Sequence, residues 1–412
     1  SRTGRRRWRR WCCTTAGPTA SMLGLESVAA VPYRDPWQLP LSERLKALSR
    51  GRRRVAYFYE LADNSTFRYR IYNMAQVLNE APDAEPHEVS AGYFFLDDLP
   101  LVPDLADRAE LLVICRTRYD HRVAQLIASF RARGRRVLYD TDDLVFDPAY
   151  AHLLVTTLDL DPRDPRVWND WFAYTARLGA TLNACDGAIT TTPALAERLR
   201  ACAEVPVAIV PNFLNREQLA LSDRLFEAKA DARLGEDGLV HLGYFSGSPS
   251  HNRDFAMVVP ALQTLLDEDP GLGVVVVGFI EPGPALERFG SRVRKVEFQD
   301  YVNLQRLIAR VEYNLMPLQY NVFTHCKSEL KYFDAAVVGT VSVASPTASY
   351  RAAIRHGDNG WLAQSHQWLA VLRQALAARD GYRAMAERAH ADARQRYAWT
   401  NQRATILAAL GL

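Results

Sequence analysis

At 412 residues the chain is longer than one hydrophobic core serves, and its 48% hydrophobic and 24% charged side chains are in the proportion of a folded globular protein, so two domains are expected. The formal net charge of +3 excludes a polyelectrolyte that binds by charge alone. No apolar run reaches the roughly 18 residues of a spanning helix.

Only the beginning is charge-biased, with Arg5, Arg6, Arg7, Arg9 and Arg10 crowded around Trp8 and Trp11. Such an arm suits peripheral contact with an anionic membrane, or is a loose leader before Met22; nucleic acid is not expected as a partner. No apolar signal core follows the arginines, so a cytoplasmic protein is expected, peripheral at the inner membrane face where the arm engages lipid. Cys12, Cys13, Cys115, Cys185, Cys202 and Cys326 form no CxxC pair, which fits reduced thiols and argues against zinc.

After the arm and lead-in (1–50), short apolar runs alternate with longer amphipathic ones, the pattern of βαβ units and a parallel sheet. Strands are expected at 55–59, 93–96, 111–115, 137–140, 188–191 and 207–210, with helices at 69–78 and 122–133. These make one Rossmann-like domain over 51–212. A polar, helix-compatible linker (213–237) leads to a second series over 238–395, with strands at 240–245, 274–277, 295–298, 313–316 and 341–344 and helices at 255–266, 304–311 and 328–338. The run 368–397 has helical spacing, and a closing helix follows within 396–412. Two such domains place the carboxyl edges of two sheets across a cleft, where open parallel sheets bind ligands.

The densest chemistry lies at 325–345, a loop entering a helix that ends near Gly339. Lys331 and Asp334, three residues apart, share a face there. Together they suit a nucleoside diphosphate, cation to phosphate and carboxylate to ribose; as a bare spacing they also describe an exposed ion pair. At the end of the first strand of the second domain, Gly247 and Ser248 let backbone amides approach phosphate, the following helix offers its N-terminus, and His251 and Arg253 stand close by.

These segments resemble the group 1 family of retaining glycosyltransferases with the GT-B fold. That family carries a Lys-x-x-Glu helix, a small-residue turn and an apolar strand, matched by Lys331, Asp334, Ala335, Ala336, Gly339 and the strand 341–344. Asp334 replaces the family's Glu, and Cys326 occupies a position that is acidic in the common pattern. The resemblance implies two Rossmann-like domains with a C-terminal helix returning to the first. It implies Lys331, Arg253 and His251 as catalytic residues, and Gly247, Ser248, Lys327, Glu329 and Asp334 as donor-binding. The implied reaction moves a sugar, with retention, from a nucleoside-diphosphate sugar to a glycan or lipid-linked acceptor, in cell-surface polysaccharide or glycolipid synthesis. A nucleotide-sugar epimerase and an inactive binding module on the same scaffold are the rivals.

On the first domain, Arg68 and Arg70 open a helix after the first strand and are expected on the acceptor side. His121 and Asp142 are placed there too. The tetrad Asp140-Thr141-Asp142-Asp143 has spacing suited to a divalent cation, but the tandem domains favour a cleft-wall or turn-capping role, with no metal and no cofactor beyond the donor itself.

Overall fold

The computed structural model describes residues 29–80, 87–158, 160–231, 238–247 and 251–412. The arginine arm and Ser248 lie outside the described residues.

The first sheet comprises β1 (Gly51–Tyr59), β2 (His87–Phe95), β3 (Leu111–Cys115), β4 (Arg136–Thr141), β5 (Gly187–Thr190) and β6 (Val207–Ile209), in the order β2-β1-β3-β4-β5-β6 and parallel throughout. The second comprises β7 (Val240–Ser246), β8 (Leu272–Gly278), β9 (Val293–Val296), β10 (Tyr313–Met316), β11 (Val341–Ala344) and β12 (Trp361–Leu362), in the order β12-β11-β10-β7-β8-β9, also parallel. Every residue of β3 and β8 is buried, because helices cover both faces and leave no side for polar alternation.

The expected strands are all present, several extended by one to six residues, while those expected at 93–96, 188–191, 207–210 and 295–298 end one or two residues early. The largest extension is at β2, which starts at His87; β1 starts at Gly51 because its first residues pair with β2, while Arg52 and Arg53 stay exposed. The run 368–397 is two helices, Trp368–Ala377 and Tyr382–Tyr397, broken by a short turn at Arg379–Gly381. Between β4 and β5 stand two helices that periodicity did not single out, Ala151–Thr157 and Pro165–Asn183. The second carries a start signal, with Asp164 accepting the Arg166 amide and Pro at the first helical position.

The last helix, Arg403–Leu410, returns to the first sheet as expected: the Arg403 guanidinium donates to the carbonyls of Val77 and Leu78 at 3.0 and 3.1 Å, and that of Arg136 to Leu410 O at 3.3 Å. The lead-in also joins the halves. Val31 exchanges two 3.0 Å bonds with the side chain of Asn303, and Trp37 stacks on Tyr301. One apolar cluster runs from Val55, Tyr69 and Val113 through Leu225 to Phe333 and Tyr397, so the two sheets share buried surface across the cleft.

Candidate active site

In each sheet the strand order reverses once, between β1 and β3 in the first and between β7 and β10 in the second. At such a point the connections leave in opposite directions and open a crevice at the carboxyl ends of the strands. Residues after β1, β3 and β4 therefore face residues after β7 and β10, and the side chains that carry charge gather there.

On the second sheet, Lys331 lies in the helix Leu330–Ala336 with its ammonium 5.3 Å from the centre of the Tyr244 ring at the end of β7. Its backbone is fixed by Asn314 of β10, whose amide donates to Lys331 O at 3.1 Å. Burial, together with repulsion from Lys327, lowers the Lys331 pKa to about 8, with Asp254 and Asp334 opposing the fall. Lys327 itself is 3.5 Å from Asp143 across the cleft. His251 opens the short helix Asn252–Ala256 and meets Asp254 at 2.9 Å through Nδ1. Burial and the neighbouring Lys331 push its pKa down to about 4 against the pull of Asp254, so the ring is neutral at neutral pH. In that form Nδ1–H donates to Asp254 and Nε2 keeps a lone pair. The other oxygen of Asp254 accepts the amide of Gln319 at 2.9 Å, which ties the ends of β7 and β10 together.

Asp334 turns to the first domain and to the helix Arg216–Asp231 of the linker. Gln218 donates to it at 2.7 Å and Tyr69 at 3.5 Å. Burial raises its pKa to about 6, although the cationic Arg68 opposes the rise. Arg68 is sandwiched between the rings of Tyr69 and Tyr301, 3.9 and 4.3 Å from their centres, and donates to Gln218 at 3.2 Å. Lys331 and Asp334 stand three residues apart on the helix Leu330–Ala336, but each has its own surroundings and neither is an exposed side chain.

On the first sheet Arg116 ends β3 with φ of 35°, a left-handed conformation that costs a non-glycine residue about 1 kcal/mol or more. Its Nη1 donates to Thr66 and Asp142 at 2.9 Å and to Asp143 at 3.3 Å. Asp143 is held below the usual carboxylate range despite its burial, by Lys327 and Arg116. Asp142 is thus committed to Arg116 and Thr66 at the cleft wall.

Several expectations need correction. Arg70 is not an acceptor-side residue: it is fully buried, grips Asp140 through bonds of 2.7 and 3.0 Å, and donates to Val210 O and Asn212 at 2.8 and 3.2 Å. Its place in the helix points it beneath the sheet edge, where it fastens β4 to the chain leaving β6. The helix after β7 spans only Asn252–Ala256, too short for a strong terminal dipole, so the lysines supply the positive field. Gly247 is exposed and a Cβ there meets no atom of the described residues within 4 Å, whereas at Gly278, with φ of 99°, a Cβ would stand 1.9 Å from Ser246 O. The glycine that the β7 edge requires is Gly278.

The remaining residues fall as follows. Glu329 sits beside the cleft and accepts the Tyr397 hydroxyl at 2.6 Å, so the last long helix holds it. Arg253 lies on the exposed side of its helix, and His121 is exposed in the first turn after β3. Cys326 is buried in an apolar cluster of the first domain with Phe323, and its carbonyl accepts the Thr192 hydroxyl at 3.1 Å. A carboxylate there would be desolvated, which accounts for a thiol in its stead. Sequence reading missed Arg116, Tyr69, Gln218 and Asp254; of these only Arg116 carried a signal, as a cation directly ending a buried strand.

Residues 240–378, the segment that contributes β7 to β12, match the family described as glycosyl transferases group 1. This segment is similar to the group 1 glycosyl transferases. No curated protein matches the chain. Among solved structures it is similar to Anabaena Alr3699/HepE in complex with UDP and glucose, at 15% identity and a TM-score of 0.58, over 87% of this chain and 99% of that one. It is also similar to WaaG, a glycosyltransferase involved in lipopolysaccharide biosynthesis (15%, TM-score 0.55, 87% and 100%). A third is the sucrose-phosphate synthase tll1590 from Thermosynechococcus elongatus (14%, TM-score 0.53, 87% and 97%). At these identities the likeness is one of fold, and the fold is GT-B.

Proposed function

We propose that the protein transfers a sugar from a nucleoside-diphosphate sugar to an acceptor hydroxyl with retention of configuration, in polysaccharide or glycolipid assembly at the inner face of a membrane. The observation that carries this reading is the pair Lys327 and Lys331 at the second reversal point, where burial and mutual repulsion lower the Lys331 pKa to about 8 and hold the adjacent His251 neutral. Such a site is under-neutralised, and a diphosphate relieves it. That HepE has been solved with UDP-glucose lends support from the same fold.

In this reading Asp334 accepts hydrogen bonds from the ribose hydroxyls. Lys331 answers the charge that grows on the diphosphate as its bond to the anomeric carbon breaks. Nε2 of His251 accepts a hydrogen bond from a sugar hydroxyl, and the acceptor enters from the Arg116 side, where Asp142 and His121 stand. No divalent metal or further cofactor takes part.

A thermal-shift screen of nucleoside diphosphates and their sugars tests the reading. A ligand at 100 times its dissociation constant adds about 2.7 kcal/mol of apparent stability. A flat response across every base would remove the donor site. Donor binding without transfer to any acceptor hydroxyl would favour the inactive module, the reading to which the thiol of Cys326 lends weight.

A further inference from the structure

A cavity of about 350 Å³ opens at the carboxyl ends of β10 and β11 and beside the chain leaving β12, on the side of β10 away from β7. Gln319, Tyr320, Ser345, Arg351, Gln364 and His366 line it, and among the described lining residues there is no carboxylate. Arg351 is anchored by a 2.8 Å bond from Nε to Pro346 O, and no described residue accepts from its two terminal nitrogens. The side chains of Gln319, Gln364 and His366 likewise make no hydrogen bond with the described residues. Tyr320 is 74% exposed, the most exposed of the large hydrophobic side chains described, yet its ring is held edge-on to His325 at 4.4 Å. Nδ1 of His325 accepts the Ala348 amide at 3.3 Å, so its hydrogen is on Nε2, a buried donor with no partner among the described residues.

We propose that this cavity is a second ligand site, outside the donor cleft, for one sugar unit carrying an acidic group. An exposed, orientation-fixed aromatic ring offers a flat apolar face to the C–H side of a pyranose. The side-chain amides of Gln319 and Gln364, without partners among the described residues, suit the sugar hydroxyls, and the volume is at the small end of the roughly 300 to 1,000 Å³ of ligand sites. Arg351 and His366, with no lining carboxylate to answer them, select an anionic substituent, and the forked guanidinium suits a carboxylate or phosphate equally. The site adjoins the cleft through Gln319, whose amide binds the Asp254 that holds His251. Its occupant is therefore placed as part of a charged glycan near the reacting centre. The assignment does not depend on the donor reading.

Saturation-transfer NMR on the full chain, with glucuronate, glucose 6-phosphate and glucose as probes, tests it. The two acidic sugars are expected to bind saturably and about ten-fold more tightly than glucose, as one charge-assisted bond allows. Comparison of the two identifies carboxylate or phosphate as the preferred group. Arg351→Gln abolishes the preference, and Tyr320→Ala weakens all three probes; both side chains are exposed, so both variants fold. Lys331→Ala leaves probe binding unchanged, and nucleoside diphosphate does not displace the probes. No saturable binding, equal binding by the parent and Arg351→Gln, or displacement by nucleoside diphosphate in the parent alone would each overturn the site. A failure of the donor reading shows in the nucleotide titration and not in these.

Discussion

At the β1/β3 edge a cation, Arg116, is answered by two carboxylates, Asp142 and Asp143, and beneath it Arg70 and Asp140 close a second pair that is wholly buried. At the β7/β10 edge the balance is the reverse. Lys327 and Lys331 share the cleft, the charge of Asp254 is shared between His251 and the Gln319 amide, and Asp334 is pushed toward its protonated form. The two edges have the same topology and the same helical surroundings, so topology does not decide which of them takes the anion. In the proposed reading charge does: at one edge the carboxylates outnumber the cations that answer them, and the other is desolvated and cationic.

The acidic edge, with its buried pair, should fail by unfolding. Removing one partner of a buried ion pair leaves an uncompensated charge and costs roughly 3 to 5 kcal/mol, so Arg70→Met is expected to lower the melting temperature more than any other change considered. Arg70→Met combined with Asp140→Leu should regain most of that stability, and with it most of the activity. If the double variant is stable yet inactive, Arg70 has a role at the acceptor after all and the contrast between the edges is lost.

The cationic edge should fail in turnover. Lys331→Ala removes a charge that matters most when the leaving diphosphate is most negative, and loss of one such group costs about 100-fold or more in kcat. Affinity for nucleoside diphosphate should fall much less. Calorimetry alongside steady-state kinetics separates the two, and an equal loss in both would mean that the lysine grips the ground state only.

Asp334 gives a smaller and pH-dependent effect. Asp334→Asn should weaken nucleoside-diphosphate binding by about ten-fold, since a charge-assisted hydrogen bond is worth roughly 1.5 to 3 kcal/mol. The folded pKa of about 6 stands above the ordinary 3.8. Between those values the folded state holds a proton that the unfolded state has released, so this carboxyl makes stability fall as pH rises from about 4 to 6. Parent and Asp334→Asn, melted across that window, should diverge, with the variant lacking this loss. Parallel curves would place the carboxyl in water.

What the sequence made legible follows from periodicity and from local spacing. The apolar runs of β3, β10 and β11 have the expected limits, because strands buried on both faces are bounded where apolar character stops. Lys331 and Asp334 could be named together because a helix fixes residues three apart on one side. The destination of Asp334, among Tyr69, Gln218 and Arg68, joins positions more than 100 residues apart, and no local pattern encodes it. Arg70 was misplaced for the same reason: Arg68 and Arg70 look alike in sequence, but the segment Arg68–Tyr72 is a π-turn that directs one guanidinium among the aromatic rings and the other beneath β4. The break at Arg379–Gly381 was legible in principle, since Asp380-Gly381 is a turn signal inside an otherwise helical run.

The smallest expected effect concerns metal. Asp140, Asp142 and Asp143 have the spacing of a cation site, yet each is already paired: Asp140 with Arg70, Asp142 with Arg116, and Asp143 with Arg116 and Lys327. A guanidinium within hydrogen-bond distance uses the lone pairs that a metal would need and adds charge that repels it. Activity in excess chelator is therefore expected to equal that in Mg²⁺ or Mn²⁺. Arg116→Gln should change this, because two carboxylates at the cleft wall lose their shared cation, and a dependence on added Mn²⁺ should then appear in activity or in melting temperature. Complete loss of parent activity in chelator, restored by either ion, would make the tetrad a metal site and return the negative charge of the first edge to the chemistry.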